Sequence, residues 1–175
     1  MSEKGTKKAK GIFRVENTRM IFRNFTGRGN DYNEEGNRNF GLIISEEDAI
    51  KLKKDGWNVK TLAPRADDPD GFEQPWLPVK VKFGAYPPSV YLISPNNGAP
   101  KKHQLDEETI GQLDWANIEF VDVEISPYNY PARGKRPAGV SAYLRRLYVT
   151  IREDDLDAKY GSIPDVEDME DFEEE

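Results

Sequence analysis

The chain has 175 residues, of which 33% are charged and 37% hydrophobic, and it carries a formal net charge of −7. This composition allows one domain of roughly 100–150 residues with appendages. The absence of cysteine excludes disulfides, thiolate metal ligands and a cysteine nucleophile, and it favours a reducing compartment. No apolar run approaches the roughly 20 residues that cross a bilayer, and no apolar segment follows the basic N-terminus, so we expect a cytoplasmic protein.

The net charge divides unevenly along the chain. Residues 153–175 carry 12 acidic residues and one basic residue, a net charge of −11, which leaves +4 for residues 1–152. Such asymmetry predicts nucleic-acid binding, or an electrostatic contact between the two parts. We expect a disordered basic arm over residues 1–10, a folded nucleic-acid-binding body over 11–152, and a largely disordered acidic tail over 153–175.

The first half of the body predicts short strands and one helix. Strand-like runs are IFRV from Ile12, Arg19–Phe25 and Asn39–Ser45. Ser45 predicts a helix N-cap because acidic residues fill the following turn, up to Asp48 three residues later. Lysines near the far end and Gly56 beyond them predict where this helix stops.

The second half predicts more strands and long loops. The strands are Trp57–Ala63, Trp76–Phe83, Ser89–Ser94, Asn117–Ser126 and Ser141–Arg152. Residues 95–104 and 128–137 are predicted as loops, and Asp106 as the cap of a short second helix. Because strands and helices do not alternate steadily, a doubly wound sheet is excluded. The pattern favours a mainly β fold: an OB-fold-like small antiparallel barrel with one or two short helices and long loops.

Residues for catalysis are scarce. His103 is the single histidine, and it lacks an evident partner for a metal site or an acid–base pair. The sequence contains none of the common phosphate-loop or nucleophile motifs. Loop carboxylates, including Asp31, Glu34 and Asp70, leave a metal-dependent nuclease or resolvase as the enzymatic alternative. We expect a non-enzymatic protein with no cofactor and no bound metal.

Two strands predict cationic faces. In Val79–Phe83, alternation directs Lys80 and Lys82 away from the valines. The last strand divides in the same way into two faces. Its predicted core face holds Tyr143, Arg145, Leu147, Val149 and Ile151, and its open face holds Leu144, Arg146, Tyr148, Thr150 and Arg152. An ordinary solvated sheet face is the alternative interpretation.

Two loops also combine cations with aromatics, at Arg23–Phe40 and Tyr128–Pro137. Unpaired bases stack on aromatic rings, each worth ~1–3 kcal/mol, and cations neutralise phosphates without sequence preference. The predicted nucleic-acid-binding residues from strands and loops are Arg23, Arg28, Tyr32, Arg38, Lys80, Lys82, Tyr128, Tyr130, Arg133, Lys135, Arg136, Arg146, Tyr148 and Arg152.

The acidic tail contains apolar residues at a regular interval. In DVEDMEDFEEE, Val166, Met169 and Phe172 recur every third position. This spacing puts them on one side of a helix if the tail folds on a partner protein. The acids can also occupy a basic groove of the body in competition with nucleic acid. A DNA-mimicking module that uses the tail to bind a protein is a further alternative.

These features together resemble the bacteriophage single-stranded-DNA-binding proteins of replication and recombination. The resemblance rests on the basic and aromatic loops, the acidic end EDMEDFEEE, and the runs FRNFTGRGNDYNEEGNRNFGLII, GWNVKTLAPR and AYLRRLYVTI. It implies an OB-fold that coats single strands in the host cytoplasm, as a monomer or homodimer. It also implies a tail that docks replication or recombination proteins. In the best-known members the aromatic lies at or very near the terminus, whereas three glutamates follow Phe172 here.

Overall fold

The computed structural model describes residues 11–64, 66–68 and 70–152. The predicted basic arm (1–10) and acidic tail (153–175), including Val166, Met169 and Phe172, lie outside these residues. The described part contains nine strands: β1 Phe13–Thr18, β2 Met20–Asn24, β3 Arg38–Ile43, β4 Lys60–Leu62, β5 Gln74–Val81, β6 Ser89–Ser94, β7 Lys101–Leu105, β8 Ile118–Tyr130 and β9 Gly139–Ile151. It also contains one α-helix, α1 (Glu46–Lys54), and two 3₁₀ helices, Asn96–Gly98 and Ile110–Asp114.

The strands form one mixed sheet in the order β1-β8-β9-β5-β3-β2, with β4 paired to β5, and β6 paired to both β9 and β7. A mainly β fold is thereby confirmed. The predicted small antiparallel barrel is not confirmed: the sheet is mixed, because β9 runs parallel to both β5 and β6. Strand β9 follows β8 through a hairpin, and it runs in the same direction as β5 and β6. The strand pairing in the described residues is not closed into a barrel.

The core lies between the inward sides of these strands. Alternate residues of β5 show the pattern, since Leu77, Val79 and Val81 are buried while Lys80 is exposed. The rings of Phe25 and Phe40 stack at 5.2 Å in the same core. Each such side chain contributes about 1.5–3 kcal/mol through burial. The inward residues therefore fix which residues of the same strands face outward.

The predicted helix is confirmed as α1. Ser45 Oγ accepts a hydrogen bond from Asp48 N at 3.0 Å, as an N-cap does. Gly56 follows the helix with a φ of +88°, a conformation that glycine adopts without strain. Among the residues described, no helix has the length and apolar character that crossing a bilayer requires.

Strict alternation fails in β9. Ile125 pairs with Leu144 but Glu124 pairs with Arg146, so the register shifts at Arg145. This irregularity has the form of a β-bulge, which reverses the in–out pattern beyond it. The predicted faces are therefore wrong for the first half of the strand: Leu144 is buried, and Tyr143 shares the open face with Arg146. Arg145, predicted on the core face, is exposed.

Several predicted boundaries also differ from the structure. Strand β7 occupies part of the predicted 95–104 loop, and β8 continues beyond Ser126 to Tyr130. The predicted second helix is a 3₁₀ turn, Ile110–Asp114, and Asp106 caps the turn that precedes it through bonds to Glu108 N and Thr109 N. Hydrogen bonds from Thr109 lower the pKa of Asp106. The bond from the Thr109 side chain has the largest effect, and the bond from its backbone N–H comes next.

Candidate nucleic-acid interface

The open side of β9 carries a row of tyrosines and cations. Tyr148 pairs in register with Tyr91 of β6, and their rings stack with centroids 5.0 Å apart and planes 15° apart. Lys102 Nζ lies 4.8 Å from the Tyr91 ring, and the Arg146 guanidinium lies 5.8 Å from the Tyr148 ring. Both distances permit cation–π attraction. Each ring of this stack is therefore adjacent to a positive charge.

The row continues toward the start of β9. The Tyr143 ring meets the Tyr128 ring edge-on at 5.8 Å, and Lys80 Nζ lies 5.8 Å from Tyr143. A groove of 860 Å³ runs alongside, lined by Tyr86, Tyr128 and Tyr143 together with Arg145 and Arg146. We name this surface the β9 face and define it by its side chains: Lys80, Tyr91, Lys102, Tyr128, Tyr143, Arg145, Arg146 and Tyr148.

Glu124 lies at the centre of the β9 face. It accepts hydrogen bonds from Arg146 and, at 3.0 Å, from Arg14, and its Oε2 is 3.8 Å from Arg145 Nε. The hydrogen bond from Arg146 lowers the pKa of Glu124; burial opposes this effect and Arg14 adds to it. The same bond raises the pKa of Arg146. The carboxylate therefore stays charged within a group of arginines.

The loop between β2 and β3 forms a second cationic and aromatic area. The Arg28 guanidinium lies 5.3 Å from the ring of Trp115, which is 73% exposed, and 3.9 Å from the Asp114 carboxylate. Asp114 in turn accepts hydrogen bonds from the backbone N–H groups of Phe25 and Thr26 at 2.7 and 3.1 Å. This carboxylate fixes the start of the loop beside the exposed indole.

Arg38 joins this loop to β5. Its Nε donates to Phe25 O at 3.0 Å, and its guanidinium lies 5.4 Å from the Phe83 ring. Lys80 and Lys82 line the adjoining 320 Å³ groove with Arg38 and Phe83. Through Lys80, this groove adjoins the β9 face.

Arg23 differs from the other predicted binding residues. Its Nη1 donates to Leu113 O at 2.8 Å and to Ala116 O at 2.9 Å. It thereby holds the end of the 3₁₀ helix against β2. Tyr32, in contrast, is 99% exposed at the tip of the loop.

The β8–β9 turn holds four predicted residues. The Arg136 guanidinium lies 4.7 Å from the Tyr130 ring and donates to Pro131 O at 3.2 Å. The backbones of Arg133 and Arg136 bond to each other, and Lys135 between them is exposed. Arg152 is exposed at the opposite end of β9, where its N–H donates to Asn117 O.

The predicted binding residues therefore fall into three areas. Lys80, Tyr128, Arg146 and Tyr148 meet on the β9 face, where their role in binding stays a prediction. In the second area, Arg28 lies beside Trp115, and Arg38 and Lys82 line the 320 Å³ groove. The β8–β9 turn carries the remainder apart from Arg23, Tyr32 and Arg152.

Sequence reasoning missed several residues of these surfaces: Arg14, Tyr86, Tyr91, Lys102, Trp115, Tyr143 and Arg145. The alternation of SVYLIS could have placed Tyr91 opposite the buried Val90, but its partner Tyr148 depends on the strand order.

The carboxylates of the nuclease alternative do not belong to the β9 face, although two of them lie in the β2–β3 loop of the second area. Asp31 and Glu34 are exposed in the β2–β3 loop, and Asp70 is exposed in the β4–β5 loop. In the described part of the chain, no three histidine or carboxylate side chains come together as metal ligands would.

The fold is similar to that of a known phage protein. A C-terminally truncated single-stranded DNA-binding protein from bacteriophage Enc34 matches with a TM-score of 0.51 and 15% identity, over 82% of this chain and 87% of that one. The Enc34 protein in complex with ssDNA gives a TM-score of 0.47, 16% identity and coverage of 83% and 88%. The single-stranded DNA-binding protein gp2.5 of bacteriophage T7 gives a TM-score of 0.39 and 11% identity, over 90% of this chain and 97% of that one.

Sequence comparison identifies the family. No protein with curated functional information matches this chain significantly. The family described as "Putative phage ssDNA-binding domain" matches residues 2–175, nearly the whole chain. The chain belongs to this family of phage single-stranded-DNA-binding domains.

Proposed function

We propose that this protein binds single-stranded DNA on the β9 face without sequence preference. The observation that carries the proposal is the group of tyrosines on the β9 face, in which Tyr91, Tyr143 and Tyr148 each have a cation within 6 Å. Unpaired bases stack on such rings, and the neighbouring lysines and arginines neutralise phosphates. Binding of this kind needs no catalytic group and no cofactor.

We infer an OB-like body over residues 11–152, in which the β2–β3 and β8–β9 loops flank the β9 face. Strands β1 and β2 are nearly continuous and pair with β8 and β3, at opposite ends of the strand order. Where they meet, Thr18 Oγ1 donates to Ile43 O at 2.5 Å, and Ile43 N donates to Arg19 O at 3.0 Å. These contacts support a barrel-like closure, in which the β2–β3 and β8–β9 loops correspond to the OB-fold loops that bind oligonucleotides.

The acidic tail is proposed as a competitor of DNA. Its net charge of −11 is opposite to the +4 of the remaining chain, to which the basic arm over residues 1–10 contributes. When DNA displaces the tail, Val166, Met169 and Phe172 become available to replication or recombination proteins. The protein would act as a monomer or homodimer.

A salt-dependent titration tests the binding proposal. Labelled oligo-dT is titrated with the full chain and with a chain lacking residues 165–175. We expect affinity to fall steeply with salt and to increase on tail removal, because the competing charge is lost. Failure of the shortened chain to bind at low salt would refute the proposed DNA binding. Equal affinities of the full and shortened chains would refute only the proposal that the tail competes with DNA.

A further inference from the structure

A poorly exposed carboxylate lies beneath the cations of the β9 face. Glu124 contacts Arg14, Arg145 and Arg146, and its side chain is 12% exposed. The three arginine side chains are 62%, 60% and 43% exposed. The carboxylate therefore gathers three guanidinium groups at one place while part of each remains accessible from solvent.

The two grooves that meet at Glu124 differ in charge. On the β1 side, a 310 Å³ groove contains Glu16 and Asp122 as well as Glu124, against the two arginines Arg14 and Arg146. On the opposite side, Glu124 is the only carboxylate among the described lining residues of the larger groove, against Arg145 and Arg146. An anion is therefore expected to approach from the side lined by Tyr86, Tyr128 and Tyr143.

The position and chemistry of the arginines fit a DNA phosphate. A guanidinium presents planar donors that match phosphate oxygens as well as they match a carboxylate. Along β9, Arg146 lies between Tyr143 and Tyr148, which are two proposed stacking positions. Since each phosphate of a single strand joins two nucleotides, a phosphate between two stacked bases would fall at these arginines.

We propose that Arg145 and Arg146, which line the larger groove, form a phosphodiester subsite in which Glu124, held by Arg14 from the β1 side, is an internal competitor of the phosphate. This inference rests on the proposed DNA binding. Glu124 assembles the arginines when DNA is absent, and its negative charge weakens their hold on the strand. The subsite is thereby kept ready for DNA but is limited in affinity, which favours release.

Glu124→Gln in the full chain tests the inference, because glutamine keeps an acceptor oxygen for the arginines but removes the charge. We expect oligo-dT to bind about threefold more tightly, the scale of one nearby charge at a water-exposed site. We also expect the salt slope of log K to steepen by about 0.7, since one more cation becomes free to neutralise a phosphate.

Asp122→Asn is the matched control. It removes the same charge from the adjacent groove, but Asp122 accepts from Asn17 N, and no arginine of the described residues is seen to bond to it. We expect it to leave the salt slope unchanged. The inference is overturned if E124Q binds no more tightly than the wild type, if its slope is unchanged, or if D122N reproduces both effects.

A second variant covers the case in which E124Q does not fold, as judged by thermal unfolding. Arg145→Gln should reduce the salt slope by about 0.7. Lys51→Gln, on α1, is the control for this variant. It should leave the salt slope unchanged, because Lys51 lies in an exposed i,i+4 pair with Glu47. Equal slopes for R145Q and K51Q would overturn the inference. If the wild type itself fails to bind oligo-dT, the proposed function fails instead.

Discussion

Tyr91 of β6 and Tyr148 of β9 stack face to face, and each has its own cation, Lys102 beside the first and Arg146 beside the second. The pair exists because β6 and β9 are parallel neighbours with these two residues in register. Two strands far apart in sequence thus build one stacking surface.

Removal of one ring of this pair should weaken DNA binding. We expect Tyr148→Ala to lower the affinity for oligo-dT about 5- to 150-fold, which corresponds to one lost stacking interaction. Fluorescence anisotropy of a labelled oligonucleotide measures the change. Phe72→Ala is the control, because this exposed aromatic lies in the β4–β5 loop and is not one of the side chains of the β9 face. A similar loss in both variants would argue against stacking on Tyr148.

Trp115 should report DNA at the second cationic area. Trp57 is buried and Trp76 is half-buried, whereas Trp115 is largely exposed beside Arg28. We expect oligo-dT to quench tryptophan fluorescence, and Trp115→Phe to remove most of the quenching. Trp76→Phe serves as the comparison. If W76F rather than W115F removes the signal, the strand does not reach the β2–β3 loop.

Asp114 should be important for folding. Its side chain is 1% exposed and accepts hydrogen bonds from Phe25 N, Thr26 N and Thr26 Oγ1. Asp114→Ala removes three hydrogen bonds to a buried carboxylate and leaves the part-buried Phe25 N–H unpaired, so we expect the free energy of unfolding in urea to fall by about 3 kcal/mol. Asp31→Ala, in the exposed part of the β2–β3 loop, should change it by less than about 0.5 kcal/mol. Equal losses of stability in the two variants would contradict the role of Asp114 in fixing the start of the β2–β3 loop.

Glu124 should make stability depend on acid pH. Its pKa is lowered in the folded state, chiefly by the hydrogen bond from Arg146. Its contribution to stability is therefore complete above the unfolded pKa and is lost as the pH falls through the lower folded pKa. We expect E124Q to be less stable than the wild type at neutral pH, with the difference closing in acid. Thermal unfolding of both proteins across pH measures this, and a difference that persists in acid would contradict it.

Local sequence signals predicted the parts of the fold that short-range chemistry determines. The helix followed from Ser45, its acidic first turn and Gly56, all of which act within one segment. Strand β7 was missed because Lys101–Gln104 are all exposed on a strand that, within the described residues, pairs with β6 alone, so no apolar alternation marks them.

The candidate site was harder to predict because it depends on pairing. The register shift at Arg145 exchanges the buried and open faces of β9 on its two sides, and no residue pattern in YLRRLYVTIR indicates this shift. Lys80 and Tyr148 were chosen from alternation alone, but their neighbours Tyr143 and Tyr91 follow from the strand order. Arg14 reaches Glu124 from a strand 110 residues away in sequence, which no local pattern could indicate.

The long β8–β9 hairpin has a consequence for the order of folding. Its strands pair from Tyr130 and Gly139 outward, so the chain closes only a short loop, whereas β1 must return to β8 across most of the body. Loop-closure entropy favours the hairpin as the early event and the docking of β1 as a late one. Arg146 would then engage Glu124 in the folding nucleus before Arg14 arrives. Pulsed hydrogen exchange should accordingly protect the amides of β8 and β9 before those of β1.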